Sequence, residues 1–459
     1  MKKEKYQHMA FSFLSQHYNS DIIGLKLGEN LVVVVSGMNL VQDVLTKEEF
    51  EGRPDNFFIR LRSMGTRKGV TCTDGYLWHD QRAFVLRHLR NLGYGKQNME
   101  NILHDELIQL RKQLGTSNNQ KIRIGPQFAK AVLNTMWTLV GGSRLSSSKF
   151  YLDKMLVLLE KRTRLFDISG GLLNHFPWLR FLVPSKTGYK LIMDINNDLK
   201  TLFQEVIAEH LSTYDSVETR DLIDAYLHQM KSTEKKNNIF YTDDQLIMVC
   251  LDLFIAGSQT TSNTLDFAIL LMVLHQDIQR KVQKEIWSVI GTERLPSIND
   301  RYKMPYVDAV ICEVLRLCQV TPVAGPRRAL KDTELGGYYI PKNTSILINL
   351  HSVNNDKQHW SDPEAFRPDR FLNGDGTLRS DDHLIAFGLG RRRCLGETLA
   401  RSCIFLFFTG ILQHYHILPV NDENPDITPV PGMTMAPQPY HANFVPAEVF
   451  IDKSDLLPQ

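Results

Sequence analysis

The residues best equipped for chemistry lie in Phe387-Gly-Leu-Gly390-Arg-Arg392-Arg-Cys394-Leu-Gly396-Glu397, a lone cysteine framed by glycines and arginines just ahead of an apolar, helix-patterned segment. A helix starting directly after Cys394 would point unpaired backbone N–H groups and the positive end of its dipole at the sulfur, favouring thiolate over thiol. Gly390 and Gly396, without a Cβ, allow unusual backbone angles and a close approach to a flat group. Phe387 can screen the sulfur from water, and Arg392 can answer a carboxylate by a charge-assisted hydrogen bond. These properties suit the socket of a thiolate that ligates a haem iron, with Cys394 as axial ligand. A buried, inert cysteine is the ordinary meaning of Cys394 taken alone. The frame F-x-x-G-x-R-x-C-x-G fixes five residues, however, and at about 5% usage each it arises by chance in roughly one chain of this length in ten thousand. Gly388-Leu-Gly390 lacks the preceding strand that a dinucleotide loop needs, and three arginines fall short of a nucleic-acid tract.

Three further constellations are ambiguous by themselves. Ala256-Gly257-Ser258-Gln259-Thr260-Thr261 is a small, polar patch inside an otherwise oily segment, and it suits a close helix crossing with hydroxyls bonded back to the preceding turn as well as it suits a reaction groove. Glu313-Val-Leu-Arg316 spaces opposite charges three apart, which alone is a helix surface pair. Trp78-His-Asp-Gln-Arg82 sets an indole N–H and a guanidinium one turn apart, suited to a single carboxylate but equally to an amphipathic surface helix.

The elements that must position these groups are mostly helical. Residues 22–35 alternate and are rich in β-branched side chains, predicting one or two strands, and helical periodicity dominates from Phe57 to about Val314. Thr242-Asp-Asp-Gln245 is a capping-box signature opening a segment, 243–275, with no proline or break. Some thirty residues at 1.5 Å each span about 45–50 Å, so this helix crosses the whole domain and lies inside it. Beyond Pro322 the pattern changes to short strands and turns, including Gly336-Gly-Tyr-Tyr-Ile-Pro341 and Asn373-Gly-Asp-Gly376, and a last helix covers 397–414.

Composition bounds the class. With 459 residues, 43% hydrophobic and 23% charged with a formal net charge of +2, the chain can bury a large core and is no nucleic-acid binder. No linker, repeat or low-complexity tract divides it, which predicts one domain over 1–459. Its cysteines, at 72, 250, 312, 318, 394 and 403, form no CxxC pair, arguing against a zinc site or a disulfide framework and for a reducing compartment. No run of about 18 apolar residues occurs, and the charged Met1-Lys-Lys-Glu-Lys5 leads into an amphipathic stretch at 6–18 rather than a signal-peptide core.

Phe387, Gly390, Arg392, Cys394 and Gly396 resemble the haem-binding loop of the cytochrome P-450 family, and the resemblance runs from about Gly52 to the chain end. It implies that family's fold: mainly α with smaller β-sheets, one large helical domain around haem b, with a long central helix. Ala256 to Thr261 resembles the oxygen-activating groove, which implies a local widening of that helix. Thr260 would then hydrogen-bond the activated oxygen and help deliver protons, while Gln259 stands where most members have Asp or Glu. An amide cannot shuttle a proton, though it can hold a water. Asp362-Pro-Glu-Ala-Phe366-Arg-Pro368-Asp-Arg370 resembles the segment whose arginine completes a buried network with the E-x-x-R helix, so Glu313, Arg316 and Arg370 are implied to lock the core. Trp78, Arg82 and Arg327 are implied haem propionate ligands, with Arg53 as a fourth.

The same resemblance implies a microsomal-type, arthropod-like monooxygenase that hydroxylates or epoxidises a lipophilic molecule. Candidate substrates are a terpenoid or steroid hormone, a fatty acid or a xenobiotic, with electrons from NADPH. Exposed Arg87, Arg90, Lys96, Arg391 and Arg393 would meet an acidic NADPH-cytochrome reductase, with cytochrome b5 as an additional donor. Microsomal members carry an anchor helix and hinge ahead of the point where this chain begins. Residues 170–184, apolar and punctuated by Gly and Pro, would serve as a lid with peripheral contact to the cytoplasmic face of the endoplasmic reticulum membrane. Asn174-His-Phe-Pro-Trp-Leu-Arg180, Thr187-Gly-Tyr-Lys190 and Gln259-Thr260 are similar to insect enzymes acting on terpenoids such as methyl farnesoate. Two other readings stay open: a P-450-fold isomerase or dehydratase that needs no reductase, and a non-catalytic haem protein that only binds its ligand.

Overall fold

The computed structural model describes residues 6–27, 30–115, 121–142, 149–165, 173, 176–234, 240–420, 423 and 425–449. Helices make up most of it, with small sheets at the periphery. The expected strand region is a hairpin of β1 (Ile22–Leu27) and β2 (Asn30–Val35), and the later strands are β3 (Val323–Arg328), β4 (Thr333–Leu335), β5 (Tyr338–Ile340), β6 (Ser345–Asn349), β7 (Tyr415–Pro419) and β8 (Ala442–Pro446). The largest sheet has the order β1-β2-β6-β3, with β2 parallel to β6 and the other pairings antiparallel. Val32 to Val35 are buried on both faces, which explains their near-continuous β-branched run. The β4–β5 hairpin turns through Gly336 and Gly337 at φ +57° and +83°, the left-handed pair that such a two-residue turn requires.

The central helix is Asp243–Leu274, 32 residues long. It starts where the sequence predicts, because the Thr242 side chain accepts from the Gln245 backbone N–H. The second half of the expected capping box does not form. Gln245 is drawn away to the Gly69 backbone, its Oε1 accepting from the Gly69 N–H at 3.1 Å and its Nε2 donating to the Gly69 carbonyl at 3.2 Å. Most of the helix is buried, and where it crosses the helix Gly125–Gly141 a Cβ on Gly257 would lie 2.8 Å from Met136 Cε. The small residues of the patch therefore do serve a close crossing, and the helix stays α-helical through it with no break. The widening implied for this patch does not take the form of an interruption, since the hydroxyls of Ser258, Thr260 and Ser262 are all bonded back one turn.

Glu313 and Arg316, on the helix Pro305–Leu317, do not form a surface pair, for both are fully buried. Arg316 donates through Nε and Nη2 to the Glu313 carboxylate at 2.7 and 2.8 Å, and through Nη1 to the Asn354 carbonyl at 2.9 Å. Arg370 donates to Glu313 Oε1 at 3.0 Å and to the Trp360 carbonyl at 2.9 Å. The Arg367 backbone N–H adds a third donor to that oxygen at 3.0 Å. One carboxylate thus ties the helix to residues 354–370, the stretch that leads into the cysteine loop. Removing the shared acceptor strips the buried Arg316 of its carboxylate and leaves Arg370 to the half-exposed Asp362 at 3.2 Å. Glu313→Ala is expected to cost about 3–5 kcal/mol of stability, read as a lowered urea midpoint, with Glu313→Gln losing less because the amide oxygen still accepts.

Candidate active site

The cysteine loop is held by its own backbone. The Cys394 N–H donates to the Phe387 carbonyl at 2.9 Å, the Gly388 N–H to the Ile385 carbonyl at 2.9 Å, and the Arg393 N–H to the Gly390 carbonyl at 3.2 Å. Gly390, at φ +67°, presses on the end of the helix Met38–Thr46, where an added Cβ would lie 2.4 Å from the Leu45 carbonyl oxygen. Conformation and space both demand glycine there. Gly396 differs from expectation: its φ of −89° is open to any residue, and the second left-handed glycine of the loop is Gly388 at +73°. The helix after the cysteine is Glu397–His414, capped by Gly396.

Cys394 presents its exposed surface to a cavity of about 480 Å³ rather than to the outside. Burial pushes its thiol above the ordinary range, against a lowering hydrogen bond from the Gly396 backbone. The expectation that the helix start alone favours thiolate is therefore corrected. Desolvation outweighs the Gly396 N–H and the lowering by Arg82 and Arg401, and a metal cation at the sulfur would shift the balance to the anion.

Trp78, Arg82, Arg327, Phe387, Arg392 and Thr260 line this same cavity. Trp78 and Arg82 come from the helix Gly75–Asn91, and Arg327 from β3. The Arg392 guanidinium stacks 3.8 Å from the Trp78 ring centroid, and its three nitrogens are buried with no hydrogen-bond partner. Arg327 is 3% exposed and, among the described residues, its side chain makes one long bond, 3.5 Å, to the Phe50 carbonyl. Burial, with repulsion from Arg53 and Arg327, lowers Arg392 to about 8; burial and Arg53 lower Arg327 to about 9. Arg82 gives one nitrogen to the Arg393 carbonyl at 2.8 Å. Arg53 gives its donors to the carbonyls of Thr71, Gly325 and Pro326 at 3.0, 2.8 and 2.6 Å, so it ties the loop at Thr71 to β3.

Orphaned buried cations beside a cavity call for anions. Haem b fits this donor set: its two propionates would meet Arg392 and Arg327, its ring the glycine-bearing loop, and its iron the Cys394 sulfur. Phe387 stands at the wall with the Arg401 guanidinium 4.6 Å over its ring.

The central helix gives the wall Asp252, Leu253, Ile255, Ala256, Gly257, Thr260, Thr261 and Thr264; Gln259 is half-buried and outside it. The Thr260 hydroxyl donates to the Ala256 carbonyl at 2.7 Å, which leaves its oxygen lone pairs free to accept. Arg87, Arg90, Lys96, Arg391 and Arg393 are all exposed, but Arg391 is engaged by Glu48 at 2.7 Å and Glu51 at 3.4 Å. Two charged residues of the cavity wall carry no local sequence signature, Arg62 and Asp252. Arg62 closes a short basic-apolar helix that looks like a surface turn, and no local pattern marks it.

Residues 1–444 match the family model described as Cytochrome P450. A Drosophila melanogaster protein described as Probable cytochrome P450 305a1 is 44% identical over 96% of this chain and 89% of its own length. Farnesoate epoxidase of Bombyx mori is 39% identical over 98% of this chain and 90% of its own length. Human Cytochrome P450 2J2 is 33% identical over 96% and 87%.

Arg392 gives an opposed pair of expectations. Without haem its buried charge is a burden, so Arg392→Met should stabilise the haem-free protein by about 1–3 kcal/mol. With haem it is a ligand, so the same change should speed haem transfer to an apoglobin acceptor by roughly tenfold or more.

Proposed function

Since the chain belongs to the cytochrome P450 family, and is thus a haem monooxygenase, we propose that it inserts one atom of dioxygen into a lipophilic molecule of terpenoid type, by epoxidation or hydroxylation. We also propose that one catalytic domain spans 1–459. The observation that carries the chemistry is a single cavity whose wall includes Cys394, Thr260 and the unpartnered Arg392. Support for the substrate class comes from the apolar side chains of that wall, among them Val132, Met136, Leu253 and Met433, and from the likeness to a farnesoate epoxidase.

Haem, when bound with Cys394 as its sulfur ligand, would supply the oxygen-activating chemistry. The chain's own residues do the rest. Cys394 provides the sulfur, held at a fixed place by the Phe387 carbonyl and by the fit of Gly390 against Leu45. Arg392 and Arg327 would hold the propionates and so gain the counter-charge that burial denies them. The apolar wall excludes water, which strengthens every polar contact inside it. Thr260 accepts a hydrogen bond from a water, and by rotating off the Ala256 carbonyl passes a proton inward. Gln259, off the wall, helps only through water.

NADPH-cytochrome reductase is the proposed electron donor, with cytochrome b5 as a second. Exposed Arg87, Arg90, Lys96 and Arg393 would speed its encounter. The endoplasmic reticulum membrane, cytoplasmic face, is the proposed location. Phe181 and Leu182 are 72% and 69% exposed, beside exposed Phe176 and Trp178, and Arg180 lies 4.3 Å over the Phe181 ring. Such a group of aromatics with a cation suits a bilayer interface. Residues 170–172 and 174–175 of the lid lie outside the described residues. No described helix is long and apolar enough to cross a membrane.

The test is turnover with reductase and NADPH on a panel of isoprenoids and fatty acids. Oxygenated product that depends on NADPH is expected, whereas rearrangement of a peroxide without NADPH would favour the isomerase alternative. Spectral binding without any product would favour a ligand-binding protein. Thr260→Val is expected to retain haem and lower product formed per NADPH consumed by roughly tenfold or more.

A further inference from the structure

Arg62 is a cation built into the substrate side of the fold with little to hold. It ends the helix Phe57–Arg62 and lines the same cavity as Cys394 and Thr260. Its backbone is clamped from two other helices. The Arg62 carbonyl accepts from Arg162 Nη2 at 2.5 Å, the Leu61 carbonyl from Asn196 Nδ2 at 3.0 Å, and Arg162 Nε reaches Asn196 Oδ1 at 3.2 Å. Arg162 and Asn196 are 1% and 3% exposed, so the clamp is a core feature that fixes where the side chain starts.

The side chain itself is under-used. Its Nη1 donates to Cys72 Sγ at 2.8 Å, a weak acceptor for so strong a donor. Its Nε is buried without a partner. The carboxylate beside it on the cavity wall, Asp252, helps keep Arg62 charged through space, but its Oδ2 accepts from the backbone N–H groups of Val70 and Thr71 at 2.8 Å each. No ion pair joins Asp252 to Arg62 among the described residues. A guanidinium fixed at its base, with a fork edge unfilled, matches a carboxylate by paired hydrogen bonds. A neutral ester or alcohol cannot supply the charge.

We propose that Arg62 forms an anion subsite that takes the carboxylate of a lipophilic acid, so that the free acid, not its ester, is the preferred ligand. The subsite rests on the monooxygenase reading for what happens to the other end of the molecule, but not for binding. The apolar wall takes the hydrocarbon chain, and the charge at Arg62 fixes which end enters first. Specificity of this kind is strong because an ester leaves the buried donor unpaired.

Equilibrium dialysis of the haem-loaded full chain against farnesoic acid and methyl farnesoate, and against palmitic acid and methyl palmitate, measures the acid-to-ester affinity ratio. The wild type is expected to favour each acid by about tenfold or more. Arg62→Gln should bring the ratio near one, and Arg62→Lys should restore part of it. Equal binding of acid and ester by the wild type would overturn the proposal and needs no variant that folds. So would an Arg62→Gln protein with full haem content and an unchanged ratio. Because dialysis does not depend on turnover, a chain that prefers acids yet oxygenates nothing sinks the monooxygenase reading alone, and one that oxygenates with no acid preference sinks the subsite alone.

Discussion

One sulfur must be kept at a fixed place inside a cavity, and most of the described structure can be traced to that demand. Burial disfavours the ionised form of a thiol, and it raises the pKa of Cys394. The loop around it supplies geometry in place of charge. The Phe387 carbonyl takes the Cys394 N–H, and Gly390 lies against the Leu45 carbonyl where no side chain would fit. The loop is then seated between the Met38–Thr46 helix and the long apolar helix Glu397–His414. Arg82 and Arg401 add some positive charge, and a metal cation at the sulfur would complete it.

Buried ions divide into two kinds with opposite meanings. Around Glu313 every charged donor finds an acceptor, and the network joins helix to loop in a way that is costly to break. Around the cavity the balance is left open. Arg392 has three nitrogens without partners, and Arg62 has one. Unsatisfied groups of this sort are expensive in a finished core, so they mark where another molecule completes the structure. Arg392 and Arg327 point to a cofactor with carboxylates, and Arg62 points to a ligand with one.

Much of this was legible in the sequence because local rules governed it. The hairpin at 22–35, the start of the central helix at Thr242 and the helix Glu397–His414 follow from periodicity and capping. Cys394 was legible because its frame is contiguous. Other features depend on partners far away in the chain. Gln245 leaves its capping box for Gly69, Arg53 turns to the carbonyls of Thr71, Gly325 and Pro326, and Gly396 keeps an ordinary φ while Gly388 takes the left-handed one. Arg62 was invisible for the same reason, since its clamp comes from Arg162 and Asn196. Gln259 could be placed on the central helix from spacing, but not on or off the cavity wall.

The reduced, carbon-monoxide-bound absorption spectrum of the haem-loaded chain, taken beside that of Cys394→Ser, tests the central claim most directly. A thiolate-type Soret band in the wild type that vanishes in the serine variant is the predicted result. A wild type without that band, or a variant that retains it, would contradict the assignment of the sulfur as iron ligand.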